Sequence, residues 1–491
     1  MPSYGPQRDH FHMIRRVLCL LLLLLPALHA FAAAEPEVMQ GGGRFGEVTV
    51  YRPAGTPKSV VLFVSGDGGW HLGVIGMAQH LTGQGAIVVG IDIRHYLKAL
   101  GEAQQACVSL AGDFELLSHD VQKKLGLPQY LAPVLAGYSS GATVVYAVLA
   151  QAPPGTFAGA VSLGFCADQD FRGKALCPGT GLHYSVNKRG DFVLEPQPKL
   201  QEKWVALQGQ QDQVCDAAAV DAFAARIPVA EVQRLPKVGH GFGVERNWLP
   251  QFRASFEELQ SGSAPPPPPP DAPPSLTGLP LVEVPAVQVA GGTAPADTFA
   301  VMISGDGGWA GLDRNIAAAF AARGIPVVGL DSLRYFWSAR TPGQAAGDLA
   351  SIIQNYQQRW HRSGVRLLGY SFGADVLPFL VNRLPRQLAG DLRSITLIAP
   401  SEAATFEIHI SGWLPGVNSP GPATRPEIAR LPLAPLCLHG AGDSERPCDA
   451  LPAARSVQIG SGHHLGGDAA GIVERILQPR AAPCAAGESC G

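Results

Sequence analysis

The sequence predicts an α/β fold built twice in tandem, each half a mainly parallel sheet covered by helices on both faces. Short, almost wholly apolar runs alternate with helical segments, the pattern of strands buried on both sides. The same motifs also recur in the same order in the two halves of the 491-residue chain. Ser65-Gly66-Asp67-Gly68-Gly69-Trp70 returns unchanged as Ser304-Gly305-Asp306-Gly307-Gly308-Trp309. Val88-Val89-Gly90-Ile91-Asp92 returns as Val327-Val328-Gly329-Leu330-Asp331 at the same offset, and Gly137-Tyr138-Ser139-Ser140-Gly141 matches Gly369-Tyr370-Ser371-Phe372-Gly373. Three ordered matches point to duplication, so the halves should share one fold.

Taken in order, residues 1–34 read as a secretory signal peptide. Arg15-Arg16 precedes an apolar run over 17–28, followed by alanines 30, 32, 33 and 34. The run is shorter than the ~20 residues a membrane span needs, and no comparable stretch follows, so no transmembrane segment is expected in the mature chain. Cys19 lies inside the apolar region, which argues against lipid attachment there. A net charge of −3 with 16% charged residues gives no basic surface of the size nucleic-acid binding needs, so nucleic acid is not expected as a direct ligand.

Eight cysteines remain beyond the leader, four in each half, and in an exported chain they suggest disulfides. Sequence proximity suggests Cys166 with Cys177, Cys437 with Cys448 and Cys484 with Cys490, although spacing cannot fix connectivity. Zinc is the weaker reading, because no C-x-x-C pair or metal-spaced histidine cluster accompanies them.

The length implies more than one domain. A first domain over 35–259 is followed by a linker at 260–278, where six prolines at 265–270 form a semi-rigid extended spacer. A second domain covers 279–480, and 481–491 is a cysteine-containing tail. Within the second domain the pattern predicts strands over 299–303 and 327–330, one just before Ser371, and others over 395–398 and 435–438. Helices are expected over 315–322, 343–357 and 374–381. Sites in such sheets lie at the carboxyl ends of the strands.

Ser371 sits where a buried strand meets a helix, the setting in which a serine hydroxyl can project towards a carbonyl. A tight glycine turn is the bland alternative. Histidine is needed to take the serine proton, and a carboxylate to hold that histidine. In the chain order nucleophile, acid, histidine, the candidates are Ser371, Asp443 and His463, paralleled by Ser139, Asp212 and His240. Glu445 or Asp449 could replace Asp443, and His464 could replace His463; Gly462-His463 aligns with Gly239-His240 and favours the first. His439 and His361 have no counterpart in the other half and read as surface or structural. This arrangement is that of an α/β-hydrolase, and its mechanism needs no cofactor and no metal.

The repeated Ser-Gly-Asp-Gly-Gly-Trp loop follows the strand expected beside the nucleophile strand. An oxyanion hole is expected from Gly305, Asp306 and Phe372, with Ser140 in the first half. A carboxylate at Asp306 would repel a developing negative charge, so it either shapes the loop or meets a cationic part of the substrate. The alternative is a structural turn with Trp309 packing.

The segment from Leu279-Pro280-Leu281-Val282-Glu283-Val284-Pro285 to Gly462-His463-His464, with Ser304 through Trp309, Asp331-Ser332-Leu333-Arg334-Tyr335-Phe336-Trp337 and Gly369 through Asp375, resembles the bacterial virulence protein VirJ/AcvB family. The resemblance implies a periplasmic serine esterase that removes lysine from lysyl-phosphatidylglycerol, a membrane lipid, with links to virulence and type IV secretion. For that substrate, Asp375 would meet an ammonium and Arg334 the phosphate, with Trp309 as a further substrate-binding residue. Tyr335, Phe336 and Trp337 would rest on acyl chains or pack in the core. The first half has Thr143 where the second has Asp375. The expected partner is an aminoacylated phospholipid at the membrane surface. The competing class is a non-catalytic periplasmic binding or chaperone-like protein that engages secretion-system components.

Overall fold

The computed structural model describes residues 1–2, 35–263, 276–287, 297–409, 421–449, 451 and 455–478. The expected leader, most of the proline linker, and the Cys484 with Cys490 pairing lie outside the described residues.

The first half runs β1 (Glu37–Gln40), β2 (Glu47–Tyr51), β3 (Ser59–Val64), α1 (Leu72–Gly83), β4 (Ala86–Ile91), α2 (Ile93–Gly101), α3 (Leu110–Lys124), β5 (Val134–Tyr138), α4 (Ser140–Gln151) and β6 (Gly159–Leu163). Three short strands follow, β7 (Asp168–Gln169), β8 (Tyr184–Val186) and β9 (Phe192–Leu194). The half closes with β10 (Trp204–Gly209), α5 (Ala217–Ala224), β11 (Ala230–Leu235) and α6 (Leu249–Gln260). The second half runs β12 (Leu281–Val284), β13 (Thr298–Ile303), α7 (Gly311–Ala321), β14 (Val327–Leu330), α8 (Ser332–Tyr335), α9 (Pro342–Trp360), β15 (Gly364–Tyr370), α10 (Phe372–Val381), α11 (Arg386–Asp391) and β16 (Leu392–Ile398). It ends with α12 (Thr424–Ala429), β17 (Leu436–Ala441), β18 (Arg455–Ser461) and α13 (Ala469–Leu477).

The sheet orders are β1-β2-β4-β3-β5-β6-β10-β11 and β12-β14-β13-β15-β16-β17-β18. Apart from β1 these are one topology used twice. The strands β2 and β12 run antiparallel to β4 and β14, β1 adds an antiparallel edge to β2, and every pairing from β4 and β14 onward is parallel. The central strands β3 (Ser-Val-Val-Leu-Phe-Val) and β13 (Thr-Phe-Ala-Val-Met-Ile) are buried along their whole length. Each is covered on both faces, which is why neither shows polar alternation. The first half also carries a separate small sheet, β7-β9-β8, inserted between β6 and β10.

The halves pack on one another. The Trp337 indole donates to the Leu127 carbonyl at 2.8 Å, and Lys123 Nζ lies 4.5 Å above its ring. Lys123 also donates to the Trp337 carbonyl at 2.5 Å and to Glu407 at 3.2 Å. Tyr335, Phe336 and Trp337 are buried, so the acyl-chain role is corrected to packing in the core and between the halves.

Three disulfides are present among the described residues, Cys107–Cys177, Cys166–Cys215 and Cys437–Cys448. The expected Cys166 with Cys177 bond is therefore corrected. Val108 and Cys177 exchange backbone hydrogen bonds with the opposite segment, which brings Cys107 beside Cys177. Cys166, just past β6, instead meets the loop after β10.

Candidate active sites

Each nucleophile candidate stands on a strained turn. Ser139 has φ 55° and ψ −124°, and Ser371 has φ 50° and ψ −119°, values that non-glycine residues adopt at cost and that aim the hydroxyl out of the strand-to-helix corner. The flanking glycines are dictated by close approach. A Cβ at Gly141 would lie 2.3 Å from the Val64 carbonyl oxygen, and one at Gly373 would lie 2.1 Å from that of Ile303. The pentapeptide thus seats its helix directly on the neighbouring strand.

In the first half, Ser139 Oγ lies 2.8 Å from His240 Nε2, and His240 Nδ1 lies 2.8 Å from Asp212 Oδ2. The Asp212 side chain is fully buried and its carboxylate is held from several sides. It accepts from the Val214 and Cys215 N–H groups at 2.8 and 2.9 Å and from the Gln208 amide at 3.1 Å. The Cys166–Cys215 disulfide fastens this loop to the end of β6. Asp212, Cys215 and His240 come close enough to suggest a metal cluster, but Cys215 is in the disulfide and the other two face each other as acid and base.

In the second half, His463 Nε2 lies 2.8 Å from Ser371 Oγ, while His463 Nδ1 is 3.6 Å from Asp443 Oδ2. This is an ion-pair distance rather than a hydrogen bond. The Cys437–Cys448 disulfide closes the segment that carries Asp443. His464 instead meets the Tyr370 hydroxyl at 2.5 Å, and burial together with His463 lowers its pKa. The geometry therefore puts His463, not His464, on the serine. Glu445 accepts from the Glu402 N–H and Asp449 from Ser456, so both have other partners. His439 is buried against Ser456 at 3.3 Å, and His361 ends α9 in the left-handed conformation.

The two repeated motifs form one latch. Ser65 Oγ accepts the Ile93 N–H at 3.1 Å and Ser304 Oγ that of Ser332 at 2.9 Å, tying the loop after β3 or β13 to the helix after β4 or β14. Trp70 and Trp309 lie on Gly90 and Gly329, where a Cβ would come within 2.1 Å of either ring. Trp309 is thereby accounted for as packing, which corrects its substrate-binding assignment.

The loop does run beside each nucleophile: a Cβ at Gly66 would be 3.1 Å from that of Ser139, and one at Gly305 would be 3.7 Å from that of Ser371. However, the Gly305 N–H donates to Asp313 Oδ1 at 3.3 Å, which corrects its place as an oxyanion donor. Asp313 was missed because it lies on an otherwise apolar helix face. Phe372 and Ser140 open their helices, where an N–H has no acceptor one turn back. Asp67 accepts from the Ser140 hydroxyl at 2.7 Å and so shapes its loop. Its counterpart Asp306 lies among carboxyl groups and helps push up the pKa values of Glu115 and Asp375.

Two substrate contacts are corrected. Asp375 is buried and accepts the Ser401 N–H at 2.6 Å, fixing α10 to the segment after β16. Thr143 does the same in the first half through the Cys166 carbonyl at 2.7 Å. Burial, then Glu445 and Asp306, hold the Asp375 carboxyl well above the usual carboxylate range. Arg334 is turned inward, 3.2 Å from Asp331, rather than towards an open phosphate site. It lines a narrow cleft between the halves together with Glu115, Tyr130 and Gly307.

Among the described residues no helix is long and apolar enough to cross a membrane. The family described as bacterial virulence protein (VirJ) matches residues 58–165 and 297–482. No curated protein matches the sequence. Similar solved structures include an esterase domain from Rhodothermus marinus, at 12% identity and TM-score 0.33, covering 46% of this chain and 99% of its own. An α/β serine hydrolase without lid from Xanthomonas campestris is 20% identical with TM-score 0.30, covering 47% and 94%. Esterase 2 of Thermogutta terrifontis, phosphorylated by paraoxon, is 16% identical with TM-score 0.34, covering 47% and 95%.

Proposed function

The chain belongs to the bacterial virulence protein (VirJ) family, and on that premise we propose that it is an exported serine esterase whose Ser371 site cleaves the aminoacyl ester of lysyl-phosphatidylglycerol in the periplasm. The observation that carries this reading is the 2.8 Å approach of His463 Nε2 to Ser371 Oγ on a strained strand-to-helix turn.

In the proposed reaction, Ser371 Oγ attacks the lysyl carbonyl as His463 takes its proton, with Asp443 favouring the imidazolium. The Phe372 N–H faces the developing oxyanion. The glycerol hydroxyl leaves with the proton held by His463, and water then releases free lysine from the acyl-serine. Three disulfides in the described residues are in keeping with an exported chain.

The test is release of free lysine from vesicles containing lysyl-phosphatidylglycerol, expected for the purified chain and abolished by Ser371→Ala. Undiminished release by that variant would overturn the assignment. If no lysine appears and a fluorophosphonate labels neither serine, the hydrolase reading fails and a binding role with secretion components replaces it.

A further inference from the structure

The two sites differ in charge at matching positions. Four residues past the loop tryptophan, the second half has Asp313 and the first has Val74. Four residues past the nucleophile, the pair is Asp375 and Thr143. Two residues past the triad acid, it is Glu445 and Val214. Two valines and a threonine thus stand in the first half where the second has carboxyl groups; Asp313 and Asp375 are buried, and Glu445 opposite Val214 is the difference on the loop that carries the acid. Of the acids that remain in the first half, Asp67 accepts from Ser140 and Asp92 is paired with Arg94 at 2.7 Å.

Two large apolar side chains are exposed on the loops that carry the acid and the base of the first site. Val214, whose N–H donates to Asp212, is 68% exposed, and Val244, four residues past His240, is 49% exposed. Large exposed apolar side chains beside a complete triad form a surface for an uncharged, apolar group.

We infer that Ser139, His240 and Asp212 form a second hydrolytic site that cleaves esters of uncharged acyl groups, a substrate class different from that of the Ser371 site. Ser139 Oγ attacks the ester carbonyl and passes its proton to His240 Nε2. The bond from carbonyl carbon to alcohol oxygen breaks, and the alcohol leaves with that proton. Water attacks the acyl-serine, gives a proton to His240, and the carboxylic acid departs as the proton returns to Ser139. The sum is ester plus water giving acid plus alcohol. This inference does not depend on the lysyl-lipid reading of Ser371.

The experiment uses the full chain, with p-nitrophenyl butyrate as the uncharged ester and lysine methyl ester as the cationic one. The ratio of butyrate to lysine-ester hydrolysis should fall at least about 100-fold in Ser139→Ala and rise by a similar factor in Ser371→Ala. Fluorophosphonate labelling of Ser371 in the Ser139→Ala variant reports that it is folded. In a Ser371→Ala background, Val214→Glu should shift kcat/KM about tenfold towards the lysine ester. Butyrate hydrolysis that survives Ser139→Ala, that is absent from the unmutated protein, or that is lost together with lysine-ester hydrolysis in Ser139→Ala while Ser371→Ala changes neither, would overturn the inference. If the lysine ester is never cleaved, the reading of Ser371 fails alone, and the butyrate result still decides this one.

Discussion

His463 Nδ1 stands 3.6 Å from the Asp443 carboxylate, whereas the corresponding atom of His240 is 2.8 Å from Asp212. The same residue types in the same chain order therefore reach different degrees of completion. Asp212 is fixed by two backbone N–H groups and Gln208.

A hydrogen-bonded acid holds the imidazole in the tautomer that accepts the serine proton, and losing it lowers turnover by about 10⁴ where the bond is intact. Asp212→Asn is expected to slow fluorophosphonate labelling of Ser139 by about 10³ or more, while Asp443→Asn slows that of Ser371 by a much smaller factor. In the unmutated protein Ser139 should label faster. Equal sensitivity of the two serines would show that the 3.6 Å contact closes in solution.

Why some of this was legible and some not follows from the kind of interaction involved. Strands such as β13 and β3 are buried on both faces, so their apolar runs announce them. β18, Arg-Ser-Val-Gln-Ile-Gly-Ser at a sheet edge, has no buried residue and carries no such run. The serine, aspartate and histidine that come together in each half are legible because duplication shows each residue twice. Cys166–Cys215 could not, because the pairing depends on the loop after β10 folding back onto the end of β6. Asp375 and Trp309 were visible as residues, but their orientation is set by Ser401 and Gly329, 26 and 20 residues away, and Arg334 is turned inward by Asp331 one helical turn before it.

The contact between Trp309 and Gly329 explains why two separated motifs are repeated together, and it can be tested directly. With a Cβ, residue 329 would come within 2.1 Å of the indole ring, so Gly329→Ala should destabilise the protein by about 1–3 kcal/mol through overpacking. Trp309→Ala should cost about 3–5 kcal/mol by leaving a cavity. The double variant should lose measurably less than the two single losses combined, because the added methyl enters the space the ring has vacated. Simple additivity in thermal or urea unfolding would show that the ring does not rest on this glycine.

Glu115 provides a pH-dependent test of how the halves meet. Its carboxylate oxygen is 3.6 Å from where a Cβ of Gly307 would lie, so this first-half residue faces the second-half loop. Burial, with Asp306 adding repulsion, pushes its pKa from 4.5 up to about 8. The folded protein therefore keeps the proton where the unfolded chain has released it. The associated stability is fully present below about pH 4.5 and is lost as pH rises towards and through about 8. The midpoint of thermal unfolding should accordingly decline between pH 5 and about 8 in a component that Glu115→Gln removes. Since the glutamine has no charge to bury, that variant should be the more stable one at pH 9. A decline of equal size in Glu115→Gln would place the responsible group elsewhere.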